Sequence, residues 1–587
     1  MRWAHPGSKS PCAPRCPSPA PATSGWATRW LRSAATRATR CPPTPFWQKP
    51  LASVRGTRTA KPNRRSGQRC SSFAPPSSQR RPAVTGTDLP LPPFLAGENP
   101  AQERYREATE LFALFDYLKA QGFGVFSIRE SLQAVGENRD GTLQGFHLSA
   151  EEAWESVRFM DRLGVGVVEL PSNPANEPGQ VWNQSLLERA RQAGLAIDFA
   201  AHARCVPSDI DAAFGSGFRR VHLYIGTSPI KQATANASIP QLAEKAAQSI
   251  RYARELGFHT VRISTEDAFR TPLEDYEQFY TALQRLLAES ATEVDGIGIP
   301  DTVGLSSIPE LGDRIAILQR AGMRFQFLEC HIHNDIGNAD RMYVDTLLLC
   351  QRLGITMLPD FSILGIGERN GTIGLSSLLE AIYRRLILLY PRKMAEIRRA
   401  MRDRLGTLPS GELFVNCYRD MDAFFYHIFA SNGFIFDRSP FSANTEYDGS
   451  GVHADTTARA YRLALSRNVE GQDAIDIGNS AYAGALPPYD MPLRTPVLAC
   501  FGCGKANVRY WRERERLLPR PQDELRTTLR RLASQTGLPL ADTPPDDRVD
   551  DVIAQLIRRY SIAQNGISHA EAMELVLMFY QPGVYNA

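Results

Sequence analysis

No acidic residue occurs in the first 87 positions of this sequence, although 16 lysines and arginines do; the first carboxylate is Asp88. The formal charge of +4 therefore combines a strongly basic leader with a remainder at −12. A basic surface for nucleic acid would have to lie in the leader, because the body is acidic. The leader also lacks apolar periodicity. A segment rich in Arg, Pro, Ser and Ala buries too little surface to offset its ordering entropy, so residues 1–95 read as disordered. Three readings stay open for it: an untranslated stretch carried into the chain, an acid-poor organellar transit segment without an evident amphipathic helix, and, last, a nucleic-acid arm.

Long apolar runs are missing too. None reaches the ~18 residues that suggest a membrane helix, and no signal-peptide core is present. Cysteine is sparse, ten in 587 residues, four of them in the leader (Cys12, Cys16, Cys41, Cys70). Of the rest, Cys500 and Cys503 stand as a Cys-x-x-Cys without a second pair. Two ordinary thiols at a Gly-rich turn are a better reading than a zinc or redox site. Such usage fits a reducing, cytosol-like compartment.

What remains is an ordinary composition, 43% hydrophobic and 22% charged, on a length that implies two or three domains. From Gly124 to about Tyr390, short apolar runs alternate with longer segments of helical period. The predicted strands are Val125–Arg129, Gly166–Leu170, Ala196–Ala200, Val221–Ile225, Thr260–Ser264, Gly296–Ile299, Gln326–His331 and Thr356–Ile363. Helical patterns include Ala150–Leu163, Gln241–Leu256, Leu273–Glu289, Ile308–Ala321 and Leu375–Leu389. Eight β/α units predict an α/β fold, a closed (β/α)8 (TIM) barrel over residues 96–390. A doubly wound open sheet is the rival. Residues 391–510 read as a linker and loop-rich subdomain reaching over the strand ends, and 511–587 as a small helical subdomain.

The strongest local signal is Glu329-Cys330-His331-Ile332-His333-Asn334-Asp335, ending the seventh strand. Residues two apart on a strand share a face, so His331 and His333 both point into the barrel mouth as a pair of divalent-metal ligands. At the end of the first strand, Arg129-Glu130 offers a carboxylate to such an ion and a fixed positive charge to a substrate. Both residues reach the mouth only if the strand breaks there. Taken alone, Arg-Glu is a commonplace surface pair.

These residues carry a resemblance. Over roughly residues 124–510 the sequence is similar to the homocitrate synthase and 2-isopropylmalate synthase family. The matching stretches are Ile225–Ser228, Ser264–Arg270, Pro300–Gly304, His331–Gly337, Gly365–Gly371 and Ser450–His453. The forms Gly365-Ile-Gly-Glu-Arg-Asn-Gly371 and His202-Ala-Arg-Cys205 are closer to the homocitrate branch. The resemblance implies condensation of acetyl-CoA with a 2-oxo acid, 2-oxoglutarate favoured, assisted by a divalent cation (Mg²⁺, Mn²⁺ or Zn²⁺) and followed by thioester hydrolysis. It implies metal ligation by Glu130, His331 and His333, and oxyanion stabilisation by Arg129. Substrate binding would fall to Arg129, Gln133, Arg204 and Thr302. Glu266 and His453 would act together on the acetyl methyl, with Tyr482, or else Tyr489, as their tyrosine. A homodimer in the cytoplasm is implied, or an organellar location if the leader is a transit segment.

Two departures stand out. The family's Arg-Asp/Glu-Gly-Glu-Gln reads Arg129-Glu130-Ser131-Leu132-Gln133 here, one carboxylate fewer. Glu169–Pro174 only partly resembles the second-strand pocket, which points to an unusual oxo acid. The alternatives are a 2-isopropylmalate, citramalate or citrate-type synthase, a lyase or aldolase on the same barrel, and a non-catalytic paralogue. A chain starting near Asp88 is expected to melt at the same temperature as the full-length chain; insolubility or inactivity on truncation would make the leader structural.

Overall fold

A computed structural model describes residues 102–137, 141–171, 177–439, 442–483, 490–536, 546–564 and 566–583. The leader, Ser172–Pro174 and Tyr489 lie outside the described residues. Eight parallel strands close a barrel: Val125–Ser127 (β1), Val167–Pro171 (β2), Asp198–Arg204 (β3), Arg220–Gly226 (β4), Thr260–Glu266 (β5), Gly296–Gly298 (β6), Phe327–Cys330 (β7) and Met357–Phe361 (β8). β1 closes the ring by pairing with both β2 and β8, Val125 lying opposite Val167 and Asp360. The eight predicted strands are all present, and the open-sheet rival is excluded.

Inward-facing residues change character along the barrel axis. At the lower end Val125, Val167, Ala200, Phe327 and Leu358 form an apolar plug. Above it β2, β4, β5 and β7 turn in Glu169, His222, Arg262 and Glu329, all buried. Apolar outer faces of the strands pack under a ring of amphipathic helices, which their own sequences start and stop. Helix Ala150–Leu163 opens with a Ser149–Glu152 capping box and ends at left-handed Gly164. Helix Ile308–Arg320 opens with Ser307 and Glu310 in the same roles.

The first strand is shorter than predicted. It stops at Ser127, whose hydroxyl caps a single helical turn, Ile128–Ser131, by accepting from Glu130 N. That turn is the break needed to bring Arg129 and Glu130 to the mouth. The Ser131-Leu132 departure is absorbed structurally. Ser131 Oγ donates to Ser127 O (3.2 Å) and accepts from Ile363 N (3.0 Å), while Leu132 is buried in the main core.

Beyond the barrel, helices Met394–Leu405 and Phe414–Asn432 pack back on it, with Phe414 stacked 5.0 Å from Phe123. The linker and loop-rich expectation for 391–510 needs correction. Helices Gly451–Ser466 and Gly471–Asn479 lie within it, and Lys505–Arg514 begins there. Its Gly and Ser residues sit at helix ends, as Ser450 does by capping His453 N, so they punctuate helices and do not extend a loop. A second core joins Val497–Cys503 to the helices Gln522–Thr536, Asp546–Gln564 and His569–Phe579, and so draws in residues before the expected boundary at 511. Among the described residues no helix is long and apolar enough to cross a membrane.

Closure at β1 rests on Gly124, which has φ +106° and whose added Cβ would lie 2.1 Å from Pro359 O. Gly124→Ala is therefore expected to lower stability by about 1–3 kcal/mol. The check is a shifted denaturation midpoint; an unchanged midpoint contradicts it.

Candidate active site

The mouth of the barrel opens into a cavity of about 670 Å³, lined by the barrel's strand ends and by helix Gly451–Ser466. Of the sequence-predicted residues, Arg129, Glu130, Gln133, Arg204, Glu266, Thr302, His331, His333, His453 and Tyr482 all line it.

Glu130, His331 and His333 converge. Their ligating atoms lie within 4.8 Å of one another, and an Oε2 of Glu130 is 3.5 Å from His331 Nε2. The two Nε2 atoms face each other at 3.2 Å. Ligands bonded to one ion at about 2.0–2.1 Å in tetrahedral array stand about 3.3 Å apart, so the donors already sit at a metal's spacing. His331 Nδ1 meets Asp360 Oδ2 at 2.8 Å, the carboxylate backing that orients a ligating imidazole. Burial disfavours charge on His331, but Asp360 and Glu130 outweigh it and raise its pKa to about 10. Burial likewise works against the Glu130 carboxylate, yet His331, Arg129 and His333 hold its pKa well below the usual range. A cation entering here meets an ionised carboxylate and displaces a proton.

Glu130 is held from behind as well. Its Oε1 accepts from Glu368 N at 2.7 Å, and Gly367 lies so close that an added Cβ would fall 2.3 Å from that oxygen. The loop 365–371 thus fits the carboxylate because it carries glycine there. Buried Arg369 braces the loop against Asp335 and the Thr302 carbonyl. Arg129 is pinned by Glu130 (2.6 Å), Glu169 (2.9 Å) and Gln133 (2.9 Å), so its guanidinium is a fixed charge.

Glu266 and His453, expected to act together, each have a partner of their own. His453 lies in the first turn of its helix, and its Nδ1 is 2.8 Å from Glu368 Oε1, a close ion-pair contact. Glu368 is buried, but His453, Arg369 and Arg494 together outweigh burial and keep it ionised. Glu266 instead meets Lys231 Nζ at 3.1 Å. Glu266 and His453 thus have different first partners, Lys231 for the one and Glu368 for the other. Tyr482 sits against both groups: its ring is 4.1 Å from the His453 ring and 3.4 Å from Lys231 Nζ. Arg204, expected at the distal end of a substrate, spends its guanidinium on Asp209 through two contacts of 2.8 Å. Thr302 Oγ accepts from Asp267 N, leaving its own proton to donate.

The sequence shows Glu368 inside a glycine-rich motif and Glu169 at the head of the second-strand stretch without marking a role for either, and it does not mark Lys231 or Asp360. The signal for Glu368 was its position between glycines beside the metal residues; nothing local marks Lys231. A second carboxylate–imidazole cluster, Glu169, His222 and Glu329, lies deeper. Arg262 pairs with Glu329 and reaches Glu169 at 3.7 Å, and Arg129 pairs with Glu169, so two arginines balance the two carboxylates. Cys500 and Cys503 are both buried, and burial first, then the neighbouring thiol, pushes Cys500 far above the usual range. Such thiols are inert.

Residues 136–402 match the family model described as HMGL-like. The chain is 31% identical over 259 residues to mitochondrial homocitrate synthase of Schizosaccharomyces pombe, an alignment covering 44% of this chain and 57% of that one. To the cytosolic isozyme of homocitrate synthase of Saccharomyces cerevisiae it is 31% identical over 230 residues, covering 39% and 50%. To 2-isopropylmalate synthase of a Geobacillus species it is 32% identical over 253 residues, covering 42% and 46%. The chain thus spans about half the length of the curated relatives it matches.

Gly367→Ala should push the Glu130 carboxylate out of place and weaken binding of added Mn²⁺ at least tenfold with little change in the helical circular-dichroism signal. Calorimetric titration checks this; wild-type affinity in the variant would contradict the fit described for Glu130.

Proposed function

Proceeding from an HMGL-like domain over residues 136–402, we propose that this chain is an acyltransferase that condenses acetyl-CoA with a 2-oxo acid, in the manner of homocitrate synthase. The observation that carries the reading is the convergence, in one cavity, of the Glu130–His331–His333 cradle with the His453–Glu368 pair. A divalent ion held by those three residues, Mg²⁺, Mn²⁺ or Zn²⁺, would supply Lewis-acid polarisation of the oxo acid's carbonyl. Everything else falls to side chains of this chain.

Arg129, fixed by its carboxylates, offsets negative charge that develops on the former carbonyl oxygen. Gln133 and Thr302 hold the oxo acid at the same mouth. His453 takes a proton from the acetyl methyl, and Glu368 stabilises the imidazolium so formed. The methyl carbon then forms the new bond to the oxo carbon, whose oxygen ends as a hydroxyl. Water cleaves the thioester, and coenzyme A leaves as the thiol. Tyr482, packed on His453, closes the wall of the cavity, and Glu266 with Lys231 frames the thioester side.

2-Oxoglutarate is the favoured oxo acid within this reading, and pyruvate or a branched 2-oxo acid would make the chain a citramalate- or isopropylmalate-type synthase. The same reading carries a homodimer and a cytoplasmic location, or an organellar one if residues 1–90 act as a transit segment. The relatives' names include both a mitochondrial and a cytosolic form.

Wild-type protein loaded with Mg²⁺ or Mn²⁺ should release thiol from acetyl-CoA only when a suitable 2-oxo acid is present. No release across a panel of oxo acids, with metal bound, overturns the reading in favour of a non-catalytic role. A general base contributes roughly 10²–10⁴-fold. His453→Ala is therefore expected to cut turnover by about that factor, and Glu368→Gln by at least about tenfold, while oxo-acid affinity stays within about threefold. Exchange of the acetyl methyl protons with deuterated solvent should fall in parallel. Near-normal turnover in His453→Ala would reassign its helix to binding.

A further inference from the structure

Strand alternation on β4 turns His222, Tyr224 and Gly226 toward the barrel axis. His222 belongs to the buried charged layer, whereas Tyr224 lies one level higher and lines the cavity. In register it stands between Arg204 of β3 and Ser264 of β5. Its ring is stacked on the His202 ring, with centroids 4.4 Å apart and planes 16° from parallel. It therefore fills the space between β3 and β4 at the wall of the cavity. Arg129, Arg204 and Glu266 are all near enough to act on its hydroxyl electrostatically, which sets it between the oxyanion arginine and the wall of the thioester side.

The cationic side chains around Tyr224 are already paired. Arg204 is paired with Asp209, Arg262 with Glu329, and Lys231 with Glu266. His202 is neutral near pH 7, since burial first, and then Arg129, lowers its pKa to about 3. The Tyr224 hydroxyl has no hydrogen-bond partner among the described residues, and it faces the cavity. It is a donor held in place by its ring, with no acceptor among the described residues.

We propose that Tyr224 selects the 2-oxo acid: its ring, flat on His202, sets how long a chain beyond the carbonyl is admitted, and its hydroxyl donates to an acceptor at that chain's far end. This rests on the reading of the cavity as an oxo-acid site. The two parts separate by substitution. Tyr224→Ala removes ring and hydroxyl; Tyr224→Phe removes the hydroxyl and keeps the ring, with little risk to folding.

The experiment measures kcat/KM by thiol release for straight-chain 2-oxo acids of increasing length, each with and without a terminal carbonyl or carboxylate oxygen. Affinities of the same acids for the Mn²⁺-loaded protein are measured by calorimetry. Tyr224→Ala should raise the ratio of longer to shorter acids at least tenfold, the range that one or two methylenes command in a shaped pocket. Tyr224→Phe should leave that length ratio within about twofold and lower the preference for acceptor-bearing acids at least tenfold. Unchanged ratios in both variants overturn the proposal. If the wild-type protein releases no thiol with any acid, the condensing activity falls, and the affinity ratios alone then decide for or against Tyr224 on the same thresholds.

Discussion

The carboxylate of Glu130 is the contact on which the rest of the site depends. One oxygen accepts from the backbone of Glu368, and the other meets Arg129 and His331. A buried carboxylate is costly unless opposite charge and donors surround it on every side. Here the donors come from three separate parts of the barrel: the turn after β1, the extension of β7 and the loop after β8. The loop that donates to Glu130 is also the loop whose Glu368 side chain receives His453. The Glu130–His331–His333 cluster and His453 are thus tied through one residue's backbone and side chain, and helix Gly451–Ser466 is registered on the barrel mouth by the same link.

Charge balance gives the cavity its remaining order. The buried layer beneath the mouth pairs Glu169 with Arg129 and His222, and Glu329 with Arg262. Lys231 serves Glu266 in the same way one level up. Each pairing immobilises a cation that would otherwise be free to bind an anionic ligand. Arg129 is the one that keeps a face to the metal cradle. Among the neutral donors at the mouth, the Thr302 and Tyr224 hydroxyls have no acceptor among the described residues.

The barrel was legible because its signals are local. Each strand is a short apolar run, each helix a 3.6-residue period, and Ser149-x-x-Glu152 or Ser307-x-x-Glu310 marks a start without reference to the rest of the chain. His331 and His333 were legible for the same reason, since strand alternation alone puts them side by side. Arg129 and Glu130 needed the strand to break, and the Ser127 cap that breaks it is again local. The pairing of His453 was not legible, because Glu368 is 85 positions away and Glu266 nearer in chemical expectation. Which carboxylate meets the imidazole depends on how the appended helix docks, and Lys231, which pairs with Glu266, sits on a seven-residue helix with no motif of its own. Residues 391–510 misled for a related reason: composition reports Gly and Ser content but not whether those residues interrupt helices or cap them.

The central claim is that Glu130, His331 and His333 form the metal centre and that the deeper cluster does not. Anomalous diffraction from crystals of the full chain soaked with Mn²⁺ tests it most directly. The account predicts one strong peak within bonding distance of Glu130, His331 and His333, with none at Glu169, His222 and Glu329. A peak at the deeper cluster, or no peak at the mouth at saturating Mn²⁺, would contradict it.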